Sequence, residues 1–214
     1  MTESDPAPNR RPMAFRSSPW AAKLTLMAVE RGISPNHISL ASVGFAVLSL
    51  IFYMLAPLGP SIVQWLCLIV AAAGCLARLV CNLIDGMVAV EGGQGTKEGV
   101  FWNEVPDRVS DLMLFTGAGI AAGNPSMGVM AGVLAIACAY IREFGRAEGF
   151  APDFGGIFAK PGRMVALSIG TFLSAFYATE WTLNLTLWVI MLGTFATLFG
   201  RVFRLLENLR NRAG

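Results

Sequence analysis

The sequence predicts an all-α integral membrane bundle: six transmembrane helices behind an N-terminal interfacial amphipathic helix. Three observations carry that prediction. Of the 214 residues, 55% are hydrophobic and only 14% charged, with a mean hydropathy of +0.59, whereas a soluble domain carries roughly 25% charged residues. Apolar stretches long enough for helices of ~20 residues recur along the chain, separated by short turn motifs. The basic residues also segregate: none of the 16 Lys and Arg falls in the three connectors that this layout places outside, the positive-inside pattern of membrane proteins.

Taken in order, residues 1–17, rich in Pro, Ser and Arg, read as a disordered cytoplasmic tail, and residues 18–214 as one membrane domain. The opening residues lack an apolar h-region, so no cleavable signal peptide is expected. Ser18 and Pro19 open a helix, Pro suiting the first helical position. That helix runs to Arg31 with Trp20, Leu24 and Met27 on one face, and Gly32 ends it. Lys and Arg among apolar residues, with a Trp at one end, suit a helix lying in the membrane interface, and equally an extension of the first span. Spans follow at about 38–57, 61–85, 103–122, 126–147, 163–180 and 182–205. The turns between them read as PLGP at 57–60, GNPS at 123–126 and TEW at 179–181.

The stretch from Asn82 to Asp111 holds six of the fourteen carboxylates, between long apolar segments. From Leu112 to Ala122 there are only eleven uncharged residues, about 16 Å of helix, too few for a ~30 Å hydrocarbon core. The third span therefore begins near Asn103, which puts Asp107 and Asp111 on the helix itself, with Pro106 in its first turn. Asn103, Asp107 and Asp111 recur every four residues and share a face. On the second span Arg78, Asn82, Asp85 and Ala89 form a matching stripe. Ionisable groups at this depth are costly and face a bundle interior or a wet cavity. Two such helices can build one oxygen-rich pocket of the kind that Mg²⁺ and its phosphate ligands favour. Gly86, Gly92, Gly93, Gly95 and Gly99 would make the connector supple enough to approach a phosphate.

Structural roles stand beside these. Asn103 also fits an N-cap, Asn82 a helix–helix hydrogen bonder, and Asp111 an ion-pair partner for Arg108 or Arg78. Cys67, Cys75, Cys81 and Cys138 all lie in apolar segments without metal spacing and read as packing residues. His37 is the one histidine and has no second to join it in a metal site.

At this point the stretch resembles the signature of the CDP-alcohol phosphatidyltransferase family, D-x2-D-G-x2-A-R-x8-G-x3-D-x3-D. Here Asn82, Asp85, Gly86, Ala89, Val90, Gly99, Asn103 and Asp107 keep that register without a gap. Thr96 stands where the family has Ser or Thr, and SPNHISL at 34–40 is similar to the family's opening to the first span. The resemblance covers nearly all of the chain after residue 30. It implies a phospholipid-synthesis enzyme of the bacterial inner membrane, with its active site facing the cytoplasm. Such an enzyme transfers a phosphatidyl group from CDP-diacylglycerol to an alcohol acceptor and releases CMP. It further implies Mg²⁺, or Mn²⁺, as one or two ions held by Asn82, Asp85, Asn103 and Asp107, with Asp107 as general base. Donor contacts would come from Pro35, Asn36, Gly86, Thr96 and Gly99. The implied partners are the two substrates, membrane lipids and a second copy of the chain in a homodimer, with no nucleic acid.

Three positions depart from the pattern: Asn82 and Asn103 replace Asp, and Val90 replaces Arg. Each Asn removes a negative charge and cannot bridge two metals as a carboxylate does, which favours a single Mg²⁺ or weaker binding. A bacterial branch of the family is similar in carrying Asn at both positions. With Val90, the usual donor-phosphate contact passes to Lys97 or Arg78. Arg142, Arg146, Lys160 and Arg163 gather where the fourth span exits and the fifth enters. As phosphate ligands they favour a phosphorylated acceptor such as glycerol 3-phosphate or a sugar or inositol phosphate; as inside charge they would meet lipid headgroups. The departures leave two other readings open: an inactive or weakened member acting as a scaffold, and a transferase using another CDP-linked donor. A cation transporter is disfavoured, because the acidic stripe lies at one membrane face and no inverted repeat or broken helix is evident.

Overall fold

The structure, a computed structural model, describes residues 18–93 and 98–212, without the side chains of Val100 and Asn103. The expected tail at 1–17, together with Gly95, Thr96 and Lys97, lies outside the described residues. All regular structure among the described residues is helical: α1 (Pro19–Glu30), α2 (Pro35–Leu55), α3 (Ser61–Val90), α4 (Gly99–Ala121), α5 (Pro125–Ala147), α6 (Lys160–Ser174) and α7 (Thr179–Arg212), with a short 3₁₀ turn at Ala56–Leu58.

Local chemistry sets the ends. Pro19, Pro35 and Pro125 each sit at the start of a helix, where a missing N–H costs nothing. The side chains of Ser34 and Asn124 accept from the backbone N–H groups of His37 and Met127, supplying N-caps. Gly32, Gly123 and Gly149 adopt positive φ just past α1, α4 and α5, the left-handed conformation that glycine reaches without a Cβ clash.

Packing arranges six of the helices as a ring in the order α2, α3, α6, α7, α5, α4, closing back on α2, with α1 laid against α3. Tyr53, Cys75, Phe115, Ala131, Thr171 and Leu187, one from each of the six, are all buried. Tyr53 and Thr171 share a hydrogen bond between their hydroxyls at 2.5 Å. Where α4 crosses α5, Gly119 and Gly128 bring the backbones together: a Cβ on Gly128 would meet the Phe115 carbonyl oxygen at 2.3 Å. Small residues permit this close approach in membrane bundles, where packing rather than the hydrophobic effect drives association.

Four helical segments are long and apolar enough to cross a membrane: Pro35–Leu58, Ser61–Val90, Pro125–Ala147 and Thr179–Arg212. The helix α4 falls short in composition because Glu104, Asp107, Arg108 and Asp111 lie on it. The helix α6 falls short in length, since its 15 residues give about 22 Å of rise. On α1, Ala21, Thr25 and Ala28 pack inward, while Trp20 and Leu24 are left exposed.

Three local expectations are corrected. The helix α3 runs on to Val90 and α4 begins at Gly99, so Gly86 and Gly99 are helical, and of the described glycines only Gly92 and Gly93 lie in the connector. Because α4 starts a turn earlier than expected, Pro106 falls inside it rather than in its first turn, removing one backbone hydrogen bond near the helix end. The fifth span ends at Ser174 rather than 180, and TEW at 179–181 opens α7 instead of forming the turn, which falls at 175–178.

Candidate active site

The helices of the ring meet with their charged ends together. The C-terminal half of α3 brings Arg78, Asn82 and Asp85; α4 brings Asp107 and Asp111; α2 brings Ser39 and Ser42; α6 opens with Lys160 and Arg163. Arg78, Asp85, Asp107, Asp111, Lys160 and Arg163 are all buried. Charged groups removed from water cost several kcal/mol each unless they are paired, and nearly all of this set is.

Arg78 has no solvent exposure at all. Its Nη2 donates to Asp111 Oδ1 at 2.6 Å and lies 3.4 Å from Asp107 Oδ1. Arg163 Nη2 approaches Asp111 Oδ2 at 3.6 Å, and its Nη1 donates to the Phe158 carbonyl at 3.0 Å. Lys160 Nζ forms an ion pair with Asp107 Oδ2. The Asn82 amide sits among these groups, and the orientation that satisfies both of its ends turns its nitrogen to Asp107 Oδ1 and Ser42 Oγ, both at 3.2 Å, and its oxygen to Arg78 Nη1 at 3.1 Å and Lys160 Nζ at 3.0 Å. Ser39 Oγ donates to Asp85 Oδ2 at 2.8 Å. The other carboxylate oxygen, Asp85 Oδ1, is buried without a hydrogen-bond partner among the described residues.

That orphaned oxygen is the observation that bears on a metal. A buried polar atom left unpaired is costly, and a hard anionic oxygen held still by Ser39 is what a divalent cation selects. Among the described residues no three His, Cys, Asp or Glu converge as a complete cage, and Lys160 stands beside Asp107 and Asn82. The residues therefore fit a cation at Asp85, with Asp107 and Asn82 adjoining through Lys160. Asn103 is on α4 one turn before Asp107, and its side chain lies outside the described residues.

A second basic group lies beside the first. Arg142 is buried and pairs with Glu104 and Glu143, and its guanidinium stands 5.4 Å from the centroid of the Phe154 ring. Arg201 on α7 donates to the carbonyls of Cys138 at 2.9 Å and Gly155 at 3.1 Å, and Arg204 pairs with Asp153 at 2.7 Å. Arg142, Asp153, Arg201 and Arg204 line a small cavity of about 30 Å³.

The four cations expected to bind an acceptor phosphate thus divide. Lys160 and Arg163 belong to the carboxylate pocket, Arg142 faces the cavity, and Arg146 is exposed, 3.6 Å from Glu143. Arg78, expected with Lys97 to stand in for the Arg missing at Val90, pairs with Asp107 and Asp111. Asp111 takes Arg78 and Arg163 as partners, and Arg108 pairs with Glu104 instead. Of the expected donor residues, Pro35 is buried at the start of α2 beside a half-buried Asn36, close in sequence to Ser39. Ser39, Ser42, Arg201 and Arg204 were not singled out from the sequence. The SPNHISL stretch was the available signal for Ser39; the two arginines had none beyond their charge.

Comparisons place this architecture among known proteins. The chain is 31% identical over 185 residues to a phosphatidylinositol phosphate synthase of Mycolicibacterium smegmatis, covering 82% of this chain and 78% of that one. It is 26% identical over 184 residues to a phosphatidylinositol phosphate synthase of Corynebacterium glutamicum, covering 82% and 79%. The crystal structure of Mycobacterium tuberculosis phosphatidylinositol phosphate synthase with CDP-DAG bound superposes with a TM-score of 0.70 at 19% identity, over 86% of this chain and 92% of that one. A second structure of that protein, in complex with manganese and citrate, also gives 0.70, at 20% identity over 87% and 88%. No family model matches the chain.

A helical ring that buries three carboxylates beside arginines and a lysine, in a chain with these relatives, defines a membrane enzyme of phospholipid synthesis. The chain belongs to the CDP-alcohol phosphatidyltransferase family.

Proposed function

We infer that the protein transfers a phosphatidyl group from CDP-diacylglycerol to an alcohol acceptor with release of CMP, and we propose that the acceptor is an inositol phosphate. The observation that carries this reading is the 31% identity, across most of both chains, to a phosphatidylinositol phosphate synthase. The adjoining cavity lined by Arg142, Arg201 and Arg204 supports the phosphorylated acceptor, since guanidinium groups bind phosphate through paired hydrogen bonds.

In the proposed reaction the acceptor hydroxyl attacks the phosphorus that carries diacylglycerol. A phosphodiester bond forms to the acceptor, the bond to CMP breaks, and the hydroxyl proton passes to Asp107 as general base. Asp107 is suited to that role by position: the contacts of its carboxylate with Asn82, Arg78 and Lys160 fix its orientation inside the pocket. Asn82, Asp85, Asn103 and Asp107 would hold a divalent cation, Mg²⁺ or Mn²⁺, with Asp85 presenting the open oxygen. When bound, such a cation neutralises charge on the diphosphate and the departing CMP. Pro35 and Asn36 on α2, with Gly86, Thr96 and Gly99 around the connector, are the proposed donor contacts. Arg142 is the proposed anchor for the acceptor phosphate, with Arg201 and Arg204 beside it; Lys160 and Arg163 sit between the two subsites, and Arg146 is peripheral.

We also read α4 and α6 as membrane-spanning, which makes six spans, with α1 in the interface and its Trp20–Leu24 side toward lipid. The charged end of the ring then faces the cytoplasm of a bacterial inner membrane. The absence of Lys and Arg from the three connectors at the other end supports that orientation. Family membership supports a homodimer.

The test is direct. Purified protein supplied with labelled CDP-diacylglycerol, a divalent metal and either inositol phosphate, free inositol or glycerol 3-phosphate should release CMP fastest with inositol phosphate. The lipid product, identified by mass, should contain the acceptor's own phosphate. Equal rates with free inositol would refute a phosphorylated acceptor. No CMP release with any acceptor would leave Asn82 and Asn103 as marks of a non-catalytic scaffold.

A further inference from the structure

Among the described residues the buried pocket carries equal numbers of acidic and basic side chains. Asp85, Asp107 and Asp111 supply three negative charges, and Arg78, Lys160 and Arg163 supply three positive ones. Within that balance the ammonium of Lys160 occupies a particular place. It pairs with Asp107 Oδ2 and lies 3.0 Å from the Asn82 oxygen, so it stands between oxygens from two of the positions that the family motif gives to metal ligands. An ammonium ion with several oxygen neighbours makes the electrostatic contacts a small cation would make there.

Asn82 completes the arrangement. Its nitrogen faces Asp107 Oδ1 at 3.2 Å while its oxygen faces Arg78 and Lys160. An aspartate at this position would set a carboxylate oxygen against Asp107 at the same separation. Two carboxylates that close repel unless a cation of higher charge lies between them. Substituting the amide removes the repulsion and keeps a hydrogen bond, so an amide at 82 and an ammonium at 160 suit one another.

We propose that Lys160 is a built-in cation that takes the place of one divalent ion, and that Asn82 is its matching residue, so that this chain binds a single divalent cation, at Asp85. The inference rests on the metal-dependent reading above but concerns ion stoichiometry rather than turnover. Asp85 Oδ1, buried and without a hydrogen-bond partner among the described residues, is the oxygen left for the ion that remains.

The experiment is a Mn²⁺ titration of the purified full-length protein in detergent, following the free-ion paramagnetic resonance signal. The wild-type protein should bind one Mn²⁺ per chain. The double variant Asn82→Asp/Lys160→Gln should bind two. Lys160→Gln alone, a milder change, should bind Mn²⁺ at least about tenfold more tightly, because Asp107 loses its competing ammonium; a tenfold change is ~1.4 kcal/mol. Two ions in the wild-type protein would overturn the proposal. So would a count of one in the double variant with the Lys160→Gln affinity unchanged or weaker. The single variant keeps the test decisive if the double variant does not fold. Because the readout is bound metal, a failure to release CMP would count against the proposed function and leave this result standing.

Discussion

Arg78 on α3 donates to Asp111 on α4 at 2.6 Å, and the arginine is wholly shielded from solvent. The pair ties the two helices together just behind the pocket, and Arg78 Nη2 also reaches the Asp107 backbone carbonyl at 3.3 Å. Asp107 is thereby held by its backbone as well as by its carboxylate.

Removing that arginine leaves two buried carboxylates short of a partner. Arg78→Met should destabilise the protein by about 3–5 kcal/mol, the usual cost of breaking a buried ion pair from one side, seen as a clear fall in Tm in detergent. Arg78→Lys should recover only part of it, since one ammonium cannot reproduce the guanidinium's several fixed donors. A Tm within a degree or two of wild type for Arg78→Met would remove the pair from the structural account.

Asp107→Asn keeps the shape of the side chain but cannot accept a proton as a base. CMP release should fall by about 10²–10⁴-fold, while a monodisperse size-exclusion profile shows that the bundle still forms. Unchanged turnover would transfer the base role to another residue.

Metal dependence should centre on Asp85. Chelation should abolish CMP release and added Mn²⁺ should restore it, and Asp85→Asn should raise the metal concentration needed for half-maximal rate or end turnover. Ser39→Ala removes the 2.8 Å hydrogen bond to Asp85; a loss near 1 kcal/mol predicts a fall in rate of roughly fivefold, with the acceptor KM unchanged. An intact rate in Ser39→Ala would show that Asp85 is oriented by other contacts.

The proposed acceptor subsite distinguishes Arg204, which lines the cavity, from Arg146, which does not. Arg204→Ala should raise KM for the phosphorylated acceptor about tenfold, as expected for losing a charged hydrogen bond, whereas Arg146→Ala, at the exposed periphery, should leave it within about twofold. Steady-state kinetics at saturating donor decides this, and the reverse ranking would move the phosphate site away from α7.

Packing makes a prediction independent of chemistry. Gly128→Ala would place a methyl group 2.3 Å from the Phe115 carbonyl oxygen, and α4 and α5 must move apart to admit it. Overpacking of this kind costs about 1–3 kcal/mol. Tm should fall while KM for both substrates stays unchanged, because this crossing lies at the opposite end of the ring from the pocket.

The helices and the face each carboxylate occupies were legible in the sequence because both follow from local rules. A bilayer demands helices of a certain length, and the four-residue spacing of Asp107 and Asp111 puts them on one side of α4 whatever surrounds them. The same reasoning put Asn82 and Asp85 on a single stripe of α3, and the turn at Gly32 followed from one residue's freedom to take positive φ. Partner choice was not legible. Lys160 lies 53 residues from Asp107 and Ser39 lies 46 from Asp85, and nothing in either segment specifies the other. Arg108 shows the same limit, having taken Glu104 one turn away on its own helix rather than Asp111. Which cation meets which carboxylate depends on how α2 and α6 rotate and slide as they pack on α3, and that is set by the whole ring's close contacts. Charge alone is non-directional; only the packed helices turn it into a defined set of pairs.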